Sequence, residues 1–265
     1  MNWKRMFLSL ILLVIIFLIY NYGQISKFYI NKLKLSASKL SKQIRVTQIT
    51  DFHSNDRVDL DKLVESISDF TPDIIVLTGD IIDRKTRDLS QALQLIEEIK
   101  NLSSNIYFVS GNHELSNPIS ENFYEGLNKY GVNVLDNKIE LLDINGEKIR
   151  LFGASFFDKK EDYDELFKDI SKDHYNILLS HSPNRPIKYL NENVDLILSG
   201  HTHGGQVRLP ILGGIIAPGQ GLFPKYDKGV FELGSTILYI DSGLGNSMYP
   251  LRLFNPVQIT NIVLE

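Results

Sequence analysis

Five short stretches hold most of the residues able to do chemistry: Asp51-Phe52-His53, Gly79-Asp80-Ile81-Ile82-Asp83-Arg84, Gly111-Asn112-His113-Glu114, His181-Ser182-Pro183 and Gly200-His201-Thr202-His203-Gly204-Gly205. Five of the six histidines fall in them, and the chain has no cysteine, so a metal would have to be held by His, Asp, Glu or Asn. Asp51 and His53 are two apart, so in an extended segment both side chains point to one side and can grip one ion. His201 and His203 repeat that spacing, between glycines that let the backbone approach a metal without a Cβ clash. Asp80 offers a short carboxylate able to bridge two cations, and Asn112 a neutral carbonyl oxygen. Mixed N/O ligation without sulfur suits Mn, Fe or Zn. The sixth histidine, His174, lies in a polar stretch and reads as exposed.

Taken singly, each cluster has an ordinary explanation, such as a turn with an incidental histidine. Their common position is what speaks for chemistry. Short β-branched runs alternate with helical patterns from Ile44 onward, which predicts a sheet covered by helices. Strands are expected at Ile44–Thr50, Ile74–Thr78, Ile106–Ser110, Ile149–Ala154, Ile177–Ser180, Leu196–Ser199, Ile237–Ile240 and Gln258–Val263. Helices are expected at Leu60–Phe70, Leu89–Lys100, Ser120–Tyr130 and Tyr163–Ile170. Each cluster follows directly on one of these strands. In open α/β sheets the carboxyl ends of strands form the site, so segments far apart in sequence can converge there.

The remainder of the chain bounds the setting. A net charge of -4 gives no basic surface to neutralise nucleic-acid phosphates, so no stable nucleic-acid partner is expected. The run from Met6 to Tyr20 is apolar apart from Ser9, and no charge occurs between Arg5 and Lys27. As a helix that uncharged window would span about 30 Å, one hydrocarbon core. Trp3, Tyr20 and Tyr22 sit where interfacial aromatics belong, and no small-x-small cleavage site follows. The expected layout is an uncleaved transmembrane anchor over 1–22, a Lys- and Ser-rich juxtamembrane linker over 23–43, and one domain over 44–265.

The ordered motifs Asp-x-His, Gly-Asp-x-x-Asp, Gly-Asn-His-Glu, a lone His and Gly-His-x-His, all intact between Asp51 and His203, resemble those of the calcineurin-like metallophosphoesterases. The anchor, the stretch running on to Gln206 and the following Arg208-Leu209-Pro210 are most similar to a membrane-anchored bacterial branch that includes phosphodiesterases like UDP-2,3-diacylglucosamine pyrophosphatase. The resemblance implies an α/β fold, a metallophosphoesterase-type β-sandwich flanked by helices, here preceded by one transmembrane helix. It implies two divalent metal ions: Asp51, His53, Asp80 and His203 around one, and Asp80, Asn112, His181 and His201 around the other, with Asp80 as the bridge. It makes His113 the catalytic histidine, Asp83 the carboxylate that orients it, and Arg84 a contact for a phosphate oxygen.

The activity so implied is metal-dependent hydrolysis of phosphoric esters, a phosphodiesterase or pyrophosphatase at the cell membrane surface. A metal-bridging hydroxide would attack phosphorus, with His113 as general acid. The apolar, glycine-rich segment Leu209–Gly229 is expected to wall the site and admit a lipid-linked phosphoester. A phosphomonoesterase or protein phosphatase would use the same ligands. A non-enzymatic membrane-tethered binding protein would be expected to carry damaged ligand positions, and none is damaged.

Overall fold

The computed structural model of the chain describes residues 3–246 and 249–265, so the first two residues of the expected anchor lie outside it. From the N-terminus come α1 (Trp3–Ser26), β1 (Tyr29–Leu35), β2 (Ile44–Ile49), α2 (Leu60–Phe70), β3 (Ile74–Leu77), α3 (Ser90–Ile99), β4 (Ile106–Phe108) and α4 (Ser120–Lys129). Next are β5 (Asn133–Val134), β6 (Lys138–Ile144), β7 (Glu147–Ala154), α5 (Lys160–Leu166), β8 (Tyr175–Ser180), α6 (Asn184–Lys188) and β9 (Leu196–Ser199). Two short hairpins follow, β10 (Arg208–Leu209) with β11 (Gly213–Gly214) and β12 (Ile216–Ala217) with β13 (Gly221–Leu222). The chain closes with β14 (Gly229–Leu233), β15 (Thr236–Ile240) and β16 (Gln258–Leu264).

Two six-stranded sheets form the body, in the orders β1-β16-β2-β3-β4-β5 and β14-β15-β9-β8-β7-β6. Alternation along the strands explains their packing. Val46, Val76 and Ile262 of the first sheet meet Leu151, Leu179 and Leu198 of the second in a shared core. The opposite faces read differently. Ile49, Leu77 and Phe108 are covered by Leu63 of α2, Ile96 of α3 and Phe123 of α4, while Phe152 and Leu178 are covered by Tyr163 and Leu166 of α5. This is the expected sandwich with flanking helices. β2, β3, β4 and β5 run parallel, as do β7, β8, β9 and β15, so within each set the carboxyl ends share one edge. Gln48 fastens the two edges together by donating to Thr78 Oγ1 at 2.9 Å and, across the sandwich, to the Ser199 carbonyl at 3.0 Å.

Helix α2 occupies the expected residues, started by Asp59, whose carboxylate accepts the Lys62 N–H, and stopped by Thr71 in a left-handed conformation. Helix α5 begins three residues before its expected Tyr163, because Asp162 reaches back to accept the Lys159 N–H and fixes an earlier start. The β6–β7 hairpin was not expected, although Asn145 and Gly146 both adopt the positive φ that a tight primed turn requires.

The larger correction concerns the stretch expected as a linker, 23–43. It holds the end of α1 and the whole of β1, which pairs in parallel with β16 over Tyr29–Leu35 and buries Leu35 and Ala37 in the inter-sheet core. Lys32 and Lys34 made it read as a tether; they are residues of an edge strand, where lysine discourages further pairing. The sheet therefore begins well before Ile44. α1 is the one helix among the described residues that is long and apolar enough to cross a membrane. A chain starting at Ile44 should be less stable than one starting at Phe28, because β16 loses one of its two partners and becomes an edge strand, and the core loses Leu35. The loss of Leu35 burial alone is about 2 kcal/mol, expected as a Tm lower by about 4–8 °C in thermal denaturation.

A candidate metal centre at the strand ends

The two sheet edges bring together eight of the nine residues singled out in the sequence as ligands or catalytic groups, all but Asn112. Asp51 Oδ1 lies 3.3 Å from His203 Nε2 and 3.9 Å from His53 Nε2. Asp80 Oδ2 lies 3.1 Å from His181 Nε2 and 3.9 Å from His53 Nε2, so this carboxylate stands between two groups of candidate ligands. Three sets place one donor atom per residue within 4.8 Å of one another: Asp51, His53 and His203; Asp80, His181 and His201; and His53, Asp83 and His113. His201 and His203 therefore serve different sets.

Local backbone geometry produces this convergence, and it is not the extended one that the spacing suggests. Asp51, His53, Asp80, His201 and His203 all have positive φ, between 48° and 70°. Asp51 and His53 meet because the chain turns left-handed after β2, a conformation that Asp and His tolerate better than most residues yet at a cost on the order of 1 kcal/mol each. Glycine is needed where these turns touch. A Cβ on Gly111 would lie 2.1 Å from Asp80 Oδ1, and one on Gly200 would lie 2.3 Å from Asp51 Oδ2.

The donor set suits cations. Burial pushes His53 down to about 4 and His201 to about 3, and holds His203 well below its ordinary value, so these imidazoles are neutral and offer lone pairs. Burial opposes charge on His181 too, but Asp80 and Asp51 outweigh it and hold that ring up at about 10. Two pairs of ring nitrogens face each other, His53 Nε2 with His203 Nε2 at 3.2 Å and His201 Nδ1 with His181 Nε2 at 3.1 Å. Asn112 Oδ1 is buried without a partner. The facing neutral rings of His53 and His203, buried carboxylates and an orphaned amide oxygen are what a bound cation satisfies.

His113 stands at the rim. Its Nδ1 is 2.9 Å from Asp83 Oδ2, its Nε2 is 3.8 Å from Asp80 Oδ2, and the exposed Arg84 guanidinium lies 3.3 Å from Nε2. Burial works against protonation of His113, yet the Asp83 hydrogen bond and the Asp80 charge outweigh it and raise the ring above its ordinary value. His174 stays apart in the fold and is half-buried rather than exposed.

Residues 44–205, which carry every one of these clusters, match the family model described as calcineurin-like phosphoesterase. The chain belongs to that family. It is 33% identical to the uncharacterized metallophosphoesterase YkuE of Bacillus subtilis over 83% of this chain and 79% of that one. It is 27% identical to a transmembrane protein with metallophosphoesterase domain of Danio rerio, over 84% of this chain but only 53% of the relative. Among solved structures, the NAD nucleotidase of Haemophilus influenzae shares the fold with a TM-score of 0.55 at 15% identity, covering 77% of this chain and 46% of that one. The chain is a hydrolase of phosphoric esters, with Asp/His clusters able to bind metal.

Three residues that brace the phosphoesterase site were not singled out in the sequence as site residues. Glu114, fully buried, accepts four N–H groups, those of Asp80 (2.9 Å), Ile81 (2.6 Å), Ile82 (3.1 Å) and Gly111 (2.9 Å), and so ties the β3 turn to the β4 turn. Its place in Gly-Asn-His-Glu, directly after the candidate ligand Asn112 and His113, was the available signal. Arg252, also fully buried, donates to the carbonyls of Ser242, Gly245 and Asn255 and lies 3.4 Å from His203 Nδ1. No motif marked it. Arg208 braces the same turn, bonding the Gly204 carbonyl and Asp227 at 2.8 Å each. Glu114→Gln should leave at least one of the four donors facing an amide NH2, costing about 1–3 kcal/mol. The expected outcome is a lower denaturation midpoint together with weaker Mn2+ binding by titration calorimetry.

Proposed function

We propose that the chain is a binuclear, metal-dependent phosphodiesterase that works at a membrane surface. Asp51, His53, Asp80 and His203 would hold one divalent ion, and Asp80, Asn112, His181 and His201 the other. Mn, Fe and Zn all suit these donors. Two such ions supply positive charge to the phosphoryl oxygens and lower the pKa of water toward neutrality. The protein side of the reaction falls to His113. Asp83 accepts from its Nδ1, which leaves Nε2 as the atom that delivers a proton to the departing alkoxide. Arg84, beside Nε2, is placed to meet a phosphate oxygen on the same side. No covalent intermediate on the protein is required.

The observation that carries the membrane setting is where the site opens. His53, Asp83, Asn246 and Pro250 line one depression, and the Pro250 carbonyl accepts a 2.9 Å hydrogen bond from Asn21 near the end of α1. With α1 as a single-pass anchor over residues 1–22, the mouth lies close to the bilayer, where the abundant phosphoesters are phospholipids, which are diesters. The apolar Leu209–Gly229 segment then serves as the wall that admits a lipid-linked substrate. A phosphomonoesterase or protein phosphatase is the second reading, since it needs the same ligands.

Comparing bis-nitrophenyl with mononitrophenyl phosphate in the Mn2+-reconstituted protein separates the two, and faster turnover of the monoester would reject the diesterase reading. His113→Ala is expected to keep its metal while losing about 10²–10⁴ in turnover on esters with poor leaving groups. An equal loss on an activated nitrophenyl ester would count against the general-acid role.

A further inference from the structure

The end of α1 is not free of the domain. Tyr20 Oη accepts the Phe254 N–H at 3.1 Å, with their rings edge to face at 6.0 Å. Asn21 Oδ1 accepts the Arg252 N–H and Gln24 Oε1 the Asn255 N–H, both at 2.9 Å. Since the apolar run of α1 ends at Tyr20, Phe254 sits at the level where the helix would leave hydrocarbon.

Bulky apolar side chains surround this point. Phe254 shares a depression with Leu209, Pro210 and Ile211 at the tip of the β10–β11 hairpin. Ile211 is completely exposed, as Leu212 beside it largely is. The 251–254 segment, β10, β11 and the 221–223 segment are linked in series by the bonds Arg208 N–H to Leu253 carbonyl, Ile215 N–H to Val207 carbonyl and Phe223 N–H to Ile215 carbonyl. Along that series Leu222, Phe223, Tyr249 and Leu251 are also exposed. Of the fourteen exposed large apolar residues outside α1 among the described residues, eight lie in 208–223 and 249–254, Ile216 of β12 included. Ile211, Phe223 and Phe254 are moreover held at positive φ (72°, 50° and 50°), a conformation unfavourable for bulky or β-branched residues. Apolar exposure and backbone strain coincide at the same three residues, and in water neither is compensated.

We propose that the β10–β13 hairpins and the 249–254 segment form a second membrane contact, entering the headgroup and acyl boundary beside α1. Its continuity with the end of the apolar helix singles out a lipid bilayer rather than a protein partner. This rests on the membrane-surface reading above and adds to it a surface and an orientation. His203 shares a depression with Ile216 and Ala217, and His53 shares one with Pro250, so both sides of the metal cluster open toward the buried rim. The site then lies at headgroup depth, and an amphiphilic phosphodiester can reach it with its tails still in the bilayer.

Trp3 is the only tryptophan, so a Trp3→Phe background allows a reporter in the full chain. Ile211→Trp and, as a control, Ser235→Trp at the far end of β15 are reconstituted in vesicles of phosphatidylcholine and phosphatidylglycerol carrying brominated acyl chains. Quenching of the Ile211→Trp emission is expected to exceed that of the control at least about threefold. Equal quenching at both sites, with the chain resisting carbonate extraction, overturns the second contact while leaving the anchor and the diesterase reading intact. A blue-shifted but unquenched Ile211→Trp emission indicates a protein partner and overturns it as well, and extraction of the chain by carbonate overturns both readings. In the double variant Tyr249→Ser/Leu251→Ser, which changes exposed residues of the second contact outside the Leu209–Gly229 wall, hydrolysis of vesicle phospholipid should fall about 5–10-fold relative to that of bis-nitrophenyl phosphate, which should stay unchanged. Parallel loss on both substrates counts against the proposal.

Discussion

Four imidazoles and two carboxylates buried in one place can coexist only if positive charge is shared among them. His53 and His203 face each other through ring nitrogens, as do His181 and His201, and Asp51 and Asp80 lie between. Protons meet this need in part: His181 is held charged by the two carboxylates, whereas burial keeps His53, His201 and His203 neutral. Divalent cations meet it more fully, since they accept several lone pairs at once and carry the charge that the carboxylates require. Many features nearby serve to keep these donors close. Left-handed turns at Asp51, Asp80 and His201, and the glycines that yield to them, are local costs sustained by the packing of the strands beneath.

That packing is reinforced by a buried carboxyl and a buried guanidinium, each satisfied by backbone groups. Glu114 gathers N–H groups from the turns after β3 and β4, which fixes Asp80 from behind. Arg252 gathers carbonyls from 242–255 and lies against His203. Glu114 bonds backbone groups alone and Arg252 adds to its carbonyls only the His203 ring, so each binds chain segments together beside the candidate ligands. Asn255 adds a further tie by donating to the His203 carbonyl at 2.7 Å.

Much of this was readable from the residues. The strand–cluster alternation located β2, β3, β4, β8 and β9 and the turns after them, because a buried parallel strand leaves an unbroken apolar run and a metal site leaves an unusual density of His and Asp. The cooperation of Asp51 with His53 was also readable, though for the wrong geometric reason: pleat alternation was assumed where a left-handed turn does the work. What was not readable has several physical causes. β1 depends on a partner distant in sequence, β6 is an edge strand exposed at most of its positions, and Arg252 is satisfied by carbonyls of its own loop. β1 is polar enough to pass for a tether until β16 is placed beside it, and a lone arginine in a loop gives no sign that several carbonyls will converge on it.

The same long-range pairing changes how the helix and the domain relate. A tether over 23–43 would let the domain wander, and its encounter with a surface-bound substrate would be governed by linker length. Instead only Lys27 and Phe28 separate α1 from β1, a stretch of about 10 Å at most. Asn21 and Gln24 are hydrogen-bonded to the segment that carries Arg252 and Asn255. A helix held in a bilayer therefore fixes the height and the facing of the metal cluster together. The contact network runs from Asn21 through Arg252 to His203, so whatever orients the helix also bears on one of the candidate ligands.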